Sequence, residues 1–370
     1  MSTAQVILLV GQWAVGTWLL GRIASPRDLS HAPGQAEAWP AVSVIIPARD
    51  EEASLPHLLA SIGHQTHPAR EVIVIDDHSG DATAALATAW GATVRSAPDL
   101  APGWLGKPAA CAAGAAVATG EVLVFLDADV TLAPHALGAL VDERRRRGGL
   151  VSVQPHHRTV RAYERLSAIC NLVAMMGTLA FTGPPRPKVT MAFGPCLIAS
   201  RADYNAAGGH GHPSVRAVVV EDMALARTFR AVDLPVTVLG GRRVVSFRMY
   251  PSGLRQLIDG WTRSLVAGAR GTSPLALLGP FFWVWGALVA AADGVRALGG
   301  GRHWALDAVV YGAWAAQIAW MLRRVGRFGV FSALLFPVPL VAFVAIFARS
   351  LVLAATGRQV RWRGRLVGGR

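Results

Sequence analysis

The chain opens with an apolar run. Met1 to Gly21 contains no charged side chain, and Arg22 and Arg27 follow. About 20 apolar residues suffice for a helix to cross a bilayer, so residues 1–22 are expected to form a transmembrane anchor. Arginines after the run place that end in the cytoplasm and the N-terminus outside. A cleaved signal peptide would instead carry its basic residues before the run. Residues 23–40, rich in Pro, Ala and Gly, read as a linker. From Ala41 the period changes. Buried-type strands are expected at Val42–Ile46, Val72–Ile75, Ala92–Arg95 and Val122–Leu126, and helices at Glu52–Gln65, Asp81–Trp90 and Ala109–Thr119. Strands alternating with helices predict an α/β domain over 41–253, a mostly parallel sheet with helices on both faces and ligands at the strands' carboxyl ends.

The remainder is of another kind. Leu254, Leu257, Ile258, Trp261, Leu265 and Ala269 fall on one helical face, with Arg255, Arg263 and Arg270 off it. Residues 254–272 are therefore expected to be an amphipathic helix on the membrane surface; the same pattern also suits a helix packed on a protein core. Residues 273–355 hold three apolar stretches, Leu275–Ala292, Ala308–Leu322 and Phe328–Ala348, before a basic tail at 356–370. Three crossings would export that tail, with Arg358, Arg361, Arg363, Arg365 and Arg370, against the positive-inside rule. One stretch, with the Pro280-containing one a candidate, is then re-entrant or interfacial.

Composition narrows the class. Of 370 residues 52% are hydrophobic and only 16% charged, with a mean hydropathy of +0.38. Ordinary soluble domains carry about 25% charged residues, so a fully soluble enzyme is disfavoured, while the polar segment at 47–130 excludes an all-membrane bundle. The net charge of +13 is almost all arginine, since Lys107 and Lys188 are the only lysines. Such a balance suits anionic lipid or nucleotide phosphates. No basic stretch is interleaved with stacking aromatics, so nucleic acid is not expected. The three cysteines are odd in number and lack CxxC spacing, which supports neither a disulfide framework nor a zinc site.

Four carboxylate clusters stand at or near strand ends: Asp50-Glu51-Glu52, Asp76-Asp77 with Asp81, Asp127-Ala128-Asp129 and Glu221-Asp222. One acidic turn alone is an Asx turn or a helix cap. A buried strand running into Asp-Ala-Asp says more, because it holds two hard oxygen donors at a rigid edge, suited to Mg²⁺ or Mn²⁺ on phosphates. In order and spacing, these motifs make residues 42–265 resemble an inverting glycosyltransferase of family 2 with a GT-A fold. The family pattern P-x-R-N-E reads here Pro47-Ala-Arg49-Asp50-Glu51, with Asp where Asn is common. D-D-x-S-x-D, D-x-D and a late E-D match.

The resemblance implies a nucleotide-sugar site made of Pro47, Arg49, Glu51, Asp76, Asp77, Lys107, Asp127, Ala128 and Asp129. Asp76 or Asp77 would contact uracil, Asp127 would face the ribose or metal side, and Asp129 would hold the metal on the diphosphate. Asp222, beside Glu221, would be the catalytic base, and Lys107 or Arg248 a cation near the leaving group. A closer resemblance is to membrane-bound members acting on carotenoid acids, through Gly103-Trp104-Leu-Gly106-Lys107-Pro, Phe193-Gly194-Pro195-Cys196, Tyr204 with Gly208-Gly209-His210, Phe247-Arg248-Met249-Tyr250-Pro251, Gly260-Trp261 and Trp362-Arg363-Gly364-Arg365. It implies a multi-pass enzyme of the plasma membrane, with its catalytic domain in the cytoplasm. This enzyme would move a hexose, glucose first, from a UDP-sugar to a lipid acceptor met by Trp104, Arg248, Tyr250 and Trp261. The alternative acceptor is a polyprenyl phosphate. The Q-x-x-R-W of chain-elongating synthases is missing before Trp261, against processive synthesis. A non-catalytic scaffold would be expected to lose carboxylates, and all four are present at 127, 129, 221 and 222. A carboxylate or phosphate acceptor is already ionised at pH 7, so a base would then be unnecessary and Asp222 would serve positioning or electrostatics.

Overall fold

The computed structural model describes residues 3–26, 39–184, 191–300, 303–356, 360–362 and 365–367. Most of the linker, the tip of the 180–192 loop with Lys188, and Arg27, Arg358, Arg363 and Arg370 lie outside the described residues, as do the side chains of Ala269, Arg270, Arg361 and Arg365. Along the chain run α1 (Thr3–Leu19), β1 (Val42–Ala48), α2 (Leu55–Gly63), β2 (Glu71–Asp76), α3 (Thr83–Trp90), β3 (Thr93–Ser96), α4 (Gly106–Val117), β4 (Val122–Leu126), β5 (Val130–Leu132) and α5 (Ala136–Arg147). Next come β6 (Leu150–Gln154), β7 (His156–Arg158), α6 (Ser167–Gly177), β8 (Cys196–Ser200), α7 (Arg201–Ala206), α8 (Pro213–Arg216), α9 (Glu221–Ala231), β9 (Val236–Gly240) and β10 (Val245–Phe247). The last are α10 (Leu254–Gly271), α11 (Pro274–Leu298), α12 (Trp304–Val325), β11 (Gly326–Arg327), α13 (Val330–Leu334), α14 (Pro337–Thr356), β12 (Val360–Trp362) and β13 (Arg365–Val367).

The chain divides into two compact units. One comprises Met1–Ile23, His157–Lys188 and Met249–Arg370, the other Ala24–His156 and Val189–Arg248. Residues 157–188, read from sequence as part of the α/β domain, thus belong with the apolar helices.

The α/β unit is a seven-stranded sheet in the order β3-β2-β1-β4-β8-β6-β9. All neighbours pair in parallel except β8, which is antiparallel to both β4 and β6. The mostly parallel α/β architecture expected from sequence is the one observed. β4 is buried at every position and β1 at all but Pro47, as their unbroken apolar runs require of strands covered on both faces. α4 can lie close because its side chains are small. A Cβ on Gly114 would come within 2.4 Å of Ile45 Cγ2. Arg146 and Arg147 at the end of α5 fold back on Glu143, and Arg144 reaches Asp203 at 3.4 Å.

In the helical unit α11, α12 and α14 are each long and apolar enough to cross a membrane. α1 has 17 residues, about 25 Å at 1.5 Å per residue, somewhat short of a hydrocarbon core of about 30 Å. α11 and α12 pack through Trp283 and Trp314, whose ring centroids are 5.9 Å apart. Trp283 Nε1 donates to Gln317 Oε1 at 2.9 Å, and Gln317 donates to Thr17 Oγ1 at 2.8 Å. These bonds satisfy an amide that would otherwise be costly inside apolar surroundings. Trp283 and Trp314 are thus packing residues, whereas Trp285 and Trp304 are exposed.

α10 differs from its expected role. Leu257, Trp261 and Leu265 are buried in the protein, and α10 packs on α6 and α14. Trp261 Nε1 donates to the buried Ser167 Oγ at 2.9 Å, so the ring does not face headgroups. Tyr250, also expected at the acceptor, is buried with its ring edge-on to Trp261 at 6.2 Å. A Cβ on Gly260 would sit 2.2 Å from Tyr250 Cε1, so glycine is needed for that contact. Amphipathic spacing predicts which face is buried, and here protein covers it instead of lipid.

Candidate active site

The site is built at the carboxyl edge of the α/β sheet. After β1 the backbone turns at Asp50, whose φ of 52° lies in the left-handed region that Asn and Asp tolerate best. This explains why either residue suits the position. The loops after β1 and β2 are stitched together by their own acids. Asp50 N–H donates to Ser79 Oγ at 3.0 Å and Gly80 N–H to Asp50 Oδ1 at 2.8 Å. Glu51 N–H donates to Thr83 Oγ1 at 2.8 Å, Glu52 N–H to Asp81 Oδ2 at 3.1 Å and Ala82 N–H to Glu52 Oε2 at 3.2 Å. Burial would raise the Asp81 carboxyl, but the hydroxyl and N–H of Thr83 outweigh it and hold it below its ordinary value.

Arg49 donates to Asp77 C=O at 3.1 Å and stands 3.6 Å from its carboxylate. Of the two acids implied for the base, Asp77 is therefore already engaged. Asp76 accepts from Ser79 N–H through Oδ2 at 3.2 Å, while its Oδ1 is buried with no hydrogen-bond partner. An unsatisfied buried oxygen is costly, and a donor group on a ligand would relieve it.

The second half of the site lies beyond β4. Lys107 Nζ, at the start of α4, is 2.7 Å from Asp127 Oδ1 and 2.9 Å from Glu221 Oε1. Burial alone would lower the ammonium's pKa, but the two carboxylates win and hold it well above its ordinary value. Lys107 thus bridges two acids, whereas its sequence context suggested only a free cation for a leaving group. Because β8 runs antiparallel to β4, it delivers the Phe193-Gly194-Pro195 turn against Asp127, whose N–H donates to Pro195 C=O at 3.0 Å. Ser152 Oγ clamps that turn, donating to Phe193 C=O at 2.9 Å and accepting its N–H at 2.7 Å.

Asp222, in the first turn of α9, accepts N–H groups from Met223 and Gly194. A Cβ on Gly194 would lie 3.0 Å from Lys107 Nζ and 3.3 Å from Asp222 Oδ2, so any side chain there would press on both. Burial first, then the neighbouring Glu221 charge, raises the Asp222 carboxyl to about 7, against the opposing pull of Lys107 and the two N–H groups. Pro47, Phe125 and His210 line the small cavity beside Lys107, Asp127 and Glu221. Burial and the Lys107 charge push His210 down to about 3. It is therefore neutral, with Nδ1 3.0 Å from the Tyr204 hydroxyl. Burial also pushes the Cys111 thiol up, so it is inert.

Among the described residues no group of three or more ligating side chains gathers to hold a metal. The donor set nevertheless fits Mg²⁺ or Mn²⁺ bound through one or two carboxylates and a diphosphate. Asp129 is half-buried at the same edge, and Ala128 is buried between the two acids. Asp127 is engaged by Lys107, and Asp129 also has a partner within the protein. Arg248 N–H approaches Asp129 C=O at 3.4 Å. Of the acceptor-side residues only Trp104 and Arg248 belong to this unit. Trp104 carries the guanidinium of Arg216, 5.6 Å from its ring centroid. Sequence reasoning did not single out Ser152, and quoted His210 only within a motif. Gly194 carried a visible signal, a glycine before Pro in an otherwise apolar run.

Residues 43–206 match the family described as "Glycosyl transferase family 2". The 4,4'-diaponeurosporenoate glycosyltransferase of Staphylococcus aureus (strain MRSA252) is 38% identical over 332 residues, 88% of each chain. That of Staphylococcus haemolyticus (strain JCSC1435) is 35% identical over 342 residues, 90% of this chain and 89% of the relative. Among solved structures, the mannosyltransferase PcManGT from Pyrobaculum calidifontis, in complex with GDP-Man and Mn²⁺, superposes with a TM-score of 0.53 at 19% identity, covering 93% of this chain and 96% of its own. That likeness concerns the fold alone. With its ordered motifs and its relatives across nearly the whole length, the chain belongs to glycosyl transferase family 2 and has a GT-A-like fold.

Proposed function

We propose that the protein transfers a hexose, glucose first, from a UDP-sugar to the carboxylate of a carotenoid acid or similar polyisoprenoid acid at the membrane. The observation that carries this reading is the raised carboxyl of Asp222 beside the Lys107-bridged pair, in a chain whose relatives are named for a carotenoid acid. An acid acceptor is ionised at pH 7 and needs no base. Its oxygen attacks the anomeric carbon from the face opposite the diphosphate, the anomeric C–O bond breaks, and that electron pair leaves with the nucleoside diphosphate. Asp222, whose carboxyl burial and the Glu221 charge push towards the neutral form, donates a hydrogen bond from that form to the incoming carboxylate. Its Oδ1 stays held by the Met223 N–H. Lys107 keeps Asp127 and Glu221 from repelling each other and the donor. Asp76, through its unsatisfied oxygen, binds the base or ribose, with Pro47, Arg49, Glu51 and Asp77 shaping that loop. Mg²⁺ or Mn²⁺ held by Asp129 would, when bound, neutralise charge on the leaving diphosphate.

Arg22 follows α1, and Arg323 and Arg324 close α12, which supports a cytoplasmic side for these ends in a plasma-membrane enzyme. The test is direct. Purified protein with Mn²⁺ and a panel of nucleotide hexoses is given a carotenoid acid, its primary alcohol and a polyprenyl phosphate, and products are identified by mass. An alkali-labile hexosyl ester of the acid is expected. Product from the polyprenyl phosphate alone would overturn the acceptor assignment.

A further inference from the structure

Shortly before Glu221 and Asp222, the helix α8 ends in Arg216, whose guanidinium lies over the Trp104 ring within cation–π range. The backbone ties the same two segments, with Leu105 N–H donating to Arg216 C=O at 2.9 Å. Trp104 lies just before Lys107, and Lys107 bonds Glu221, so both segments converge on the catalytic edge. Two other partly buried arginines of this unit spend donors on the protein itself. Arg201 donates to the carbonyls of Gly120, Ala115 and Ala118, and Arg49 to Asp77. Arg216 is also half-buried, yet it makes no ion pair among the described residues. A partly desolvated, rigidly stacked guanidinium is an anion receptor awaiting its partner.

We propose that Arg216, held on Trp104, receives the anionic head of the lipid acceptor, a carboxylate or a phosphate. This rests on the glycosyl-transfer reading above. Full-length Arg216→Met and Arg216→Lys are compared with wild type on the carotenoid acid, its primary alcohol and a polyprenyl phosphate, with donor Kd measured separately. For whichever anionic acceptor wild type uses, KM should rise about 10- to 100-fold in Arg216→Met. Arg216→Lys should recover part of this, while donor Kd and the alcohol's KM stay unchanged. An unchanged KM for the anionic acceptor overturns the proposal, as does an equal rise for the alcohol, a parallel loss of donor binding, or a wild type that uses only the alcohol. Turnover of the phosphate but not the acid by wild type would reject the carotenoid-acid reading while leaving Arg216 to be judged on the phosphate KM.

A separate set of contacts concerns the last apolar stretch. Gly294 of α11 packs against the Tyr311 ring of α12, which places Tyr311 towards the connected ends of that hairpin. Tyr311 O–H donates to Leu334 C=O, and its ring is 5.0 Å from Phe336. The chain leaves α12 at Gly326, paired with His157, and has reached that far end by Phe336. α14 then returns. Phe347 lies 5.7 Å from Phe281, near the start of α11. Arg349 bonds Thr262 and Asp259 of α10, each at 2.7 Å, and Ser350 Oγ donates to Thr262 C=O at 2.9 Å. β12 lies against α10 as well.

We infer that residues 326–356 enter and leave the bilayer on one face, a re-entrant hairpin that does not cross. The tail then emerges where α12 ends and α11 begins, which removes the conflict with the positive-inside rule. Single cysteines Ser252→Cys, His303→Cys and Val360→Cys are probed in intact cells and in inverted vesicles with a membrane-impermeant maleimide. The three native cysteines are buried. Val360→Cys should label from the same side as Ser252→Cys, and His303→Cys from the other. Labelling of Val360→Cys with His303→Cys, or of all three from one side, overturns the inference.

Discussion

Two halves of one sheet edge carry similar densities of carboxylate and use them differently. After β1 and β2, Asp50, Glu52 and Asp81 accept main-chain N–H groups from neighbouring turns. They are the mortar of two loops. After β4 and at the start of α9, Asp127 and Glu221 share one ammonium, and Asp222 beside them is pushed towards neutrality. Among the loop acids, Asp81 is held below its ordinary value by the hydroxyl and N–H of Thr83. An acid crowded by other acids in a desolvated site has its protonation state set by whatever else binds.

The contrast can be broken at its strongest point. Asp129→Ala should weaken metal-dependent donor binding about 10³-fold, measured by calorimetry with and without Mn²⁺. The fold should persist, because the buried residues of β4 are untouched. Binding equal to wild type would remove Asp129 from the metal. Lys107→Met should lower kcat/KM about 10²-fold, since Asp127 and Glu221 would then face the donor uncompensated. A loss no larger than for a surface lysine would mean that the bridge is incidental. On the other half, Asp81→Ala should cost about 1–2 kcal/mol of stability in denaturant unfolding, and change kcat less than about threefold, an effect small beside oxyanion-type losses. A collapse of kcat in a folded Asp81→Ala protein would erase the distinction between the two halves.

Much of this edge was legible in the sequence because β1, β2 and β4 are central parallel strands, whose continuous apolar runs stop where the polar turns begin. The Asp-Ala-Asp motif stood out for the same reason, whereas Glu221-Asp222, expected near a strand end, opens helix α9 instead. What could not be read depends on contacts between distant segments. Nothing local says that Lys107 meets Glu221, or that β8 runs antiparallel and lays Gly194 against Asp222. β5 and β10 have three residues each, too few for a period. α10 shows a different limit. Its amphipathic spacing gave the correct buried face, but the cover is α6 and α14, held by the Trp261–Ser167 bond. The last apolar stretch reads as one continuous span because hydropathy does not register a break made by apolar residues, yet helix α13 ends at Leu334 and α14 starts at Pro337.

The measurement that bears most directly on the central claim is the pH dependence of kcat/KM on the carotenoid acid, for wild type and Asp222→Asn. Asp222 is raised to about 7, so it holds its proton below that pH and loses it above. If the proton serves an acceptor carboxylate, the wild-type rate falls as pH rises through about 7, because a hydrogen-bond donor is replaced by a repelling charge. Asp222→Asn, which still donates, should stay within about tenfold of wild type below that pH, less than the loss on removing a general base, and should show no such fall. A wild-type rate that climbs through the same range, with a loss of about 10² to 10⁴ in Asp222→Asn, would contradict this. Asp222 would then be a base that deprotonates a hydroxyl acceptor.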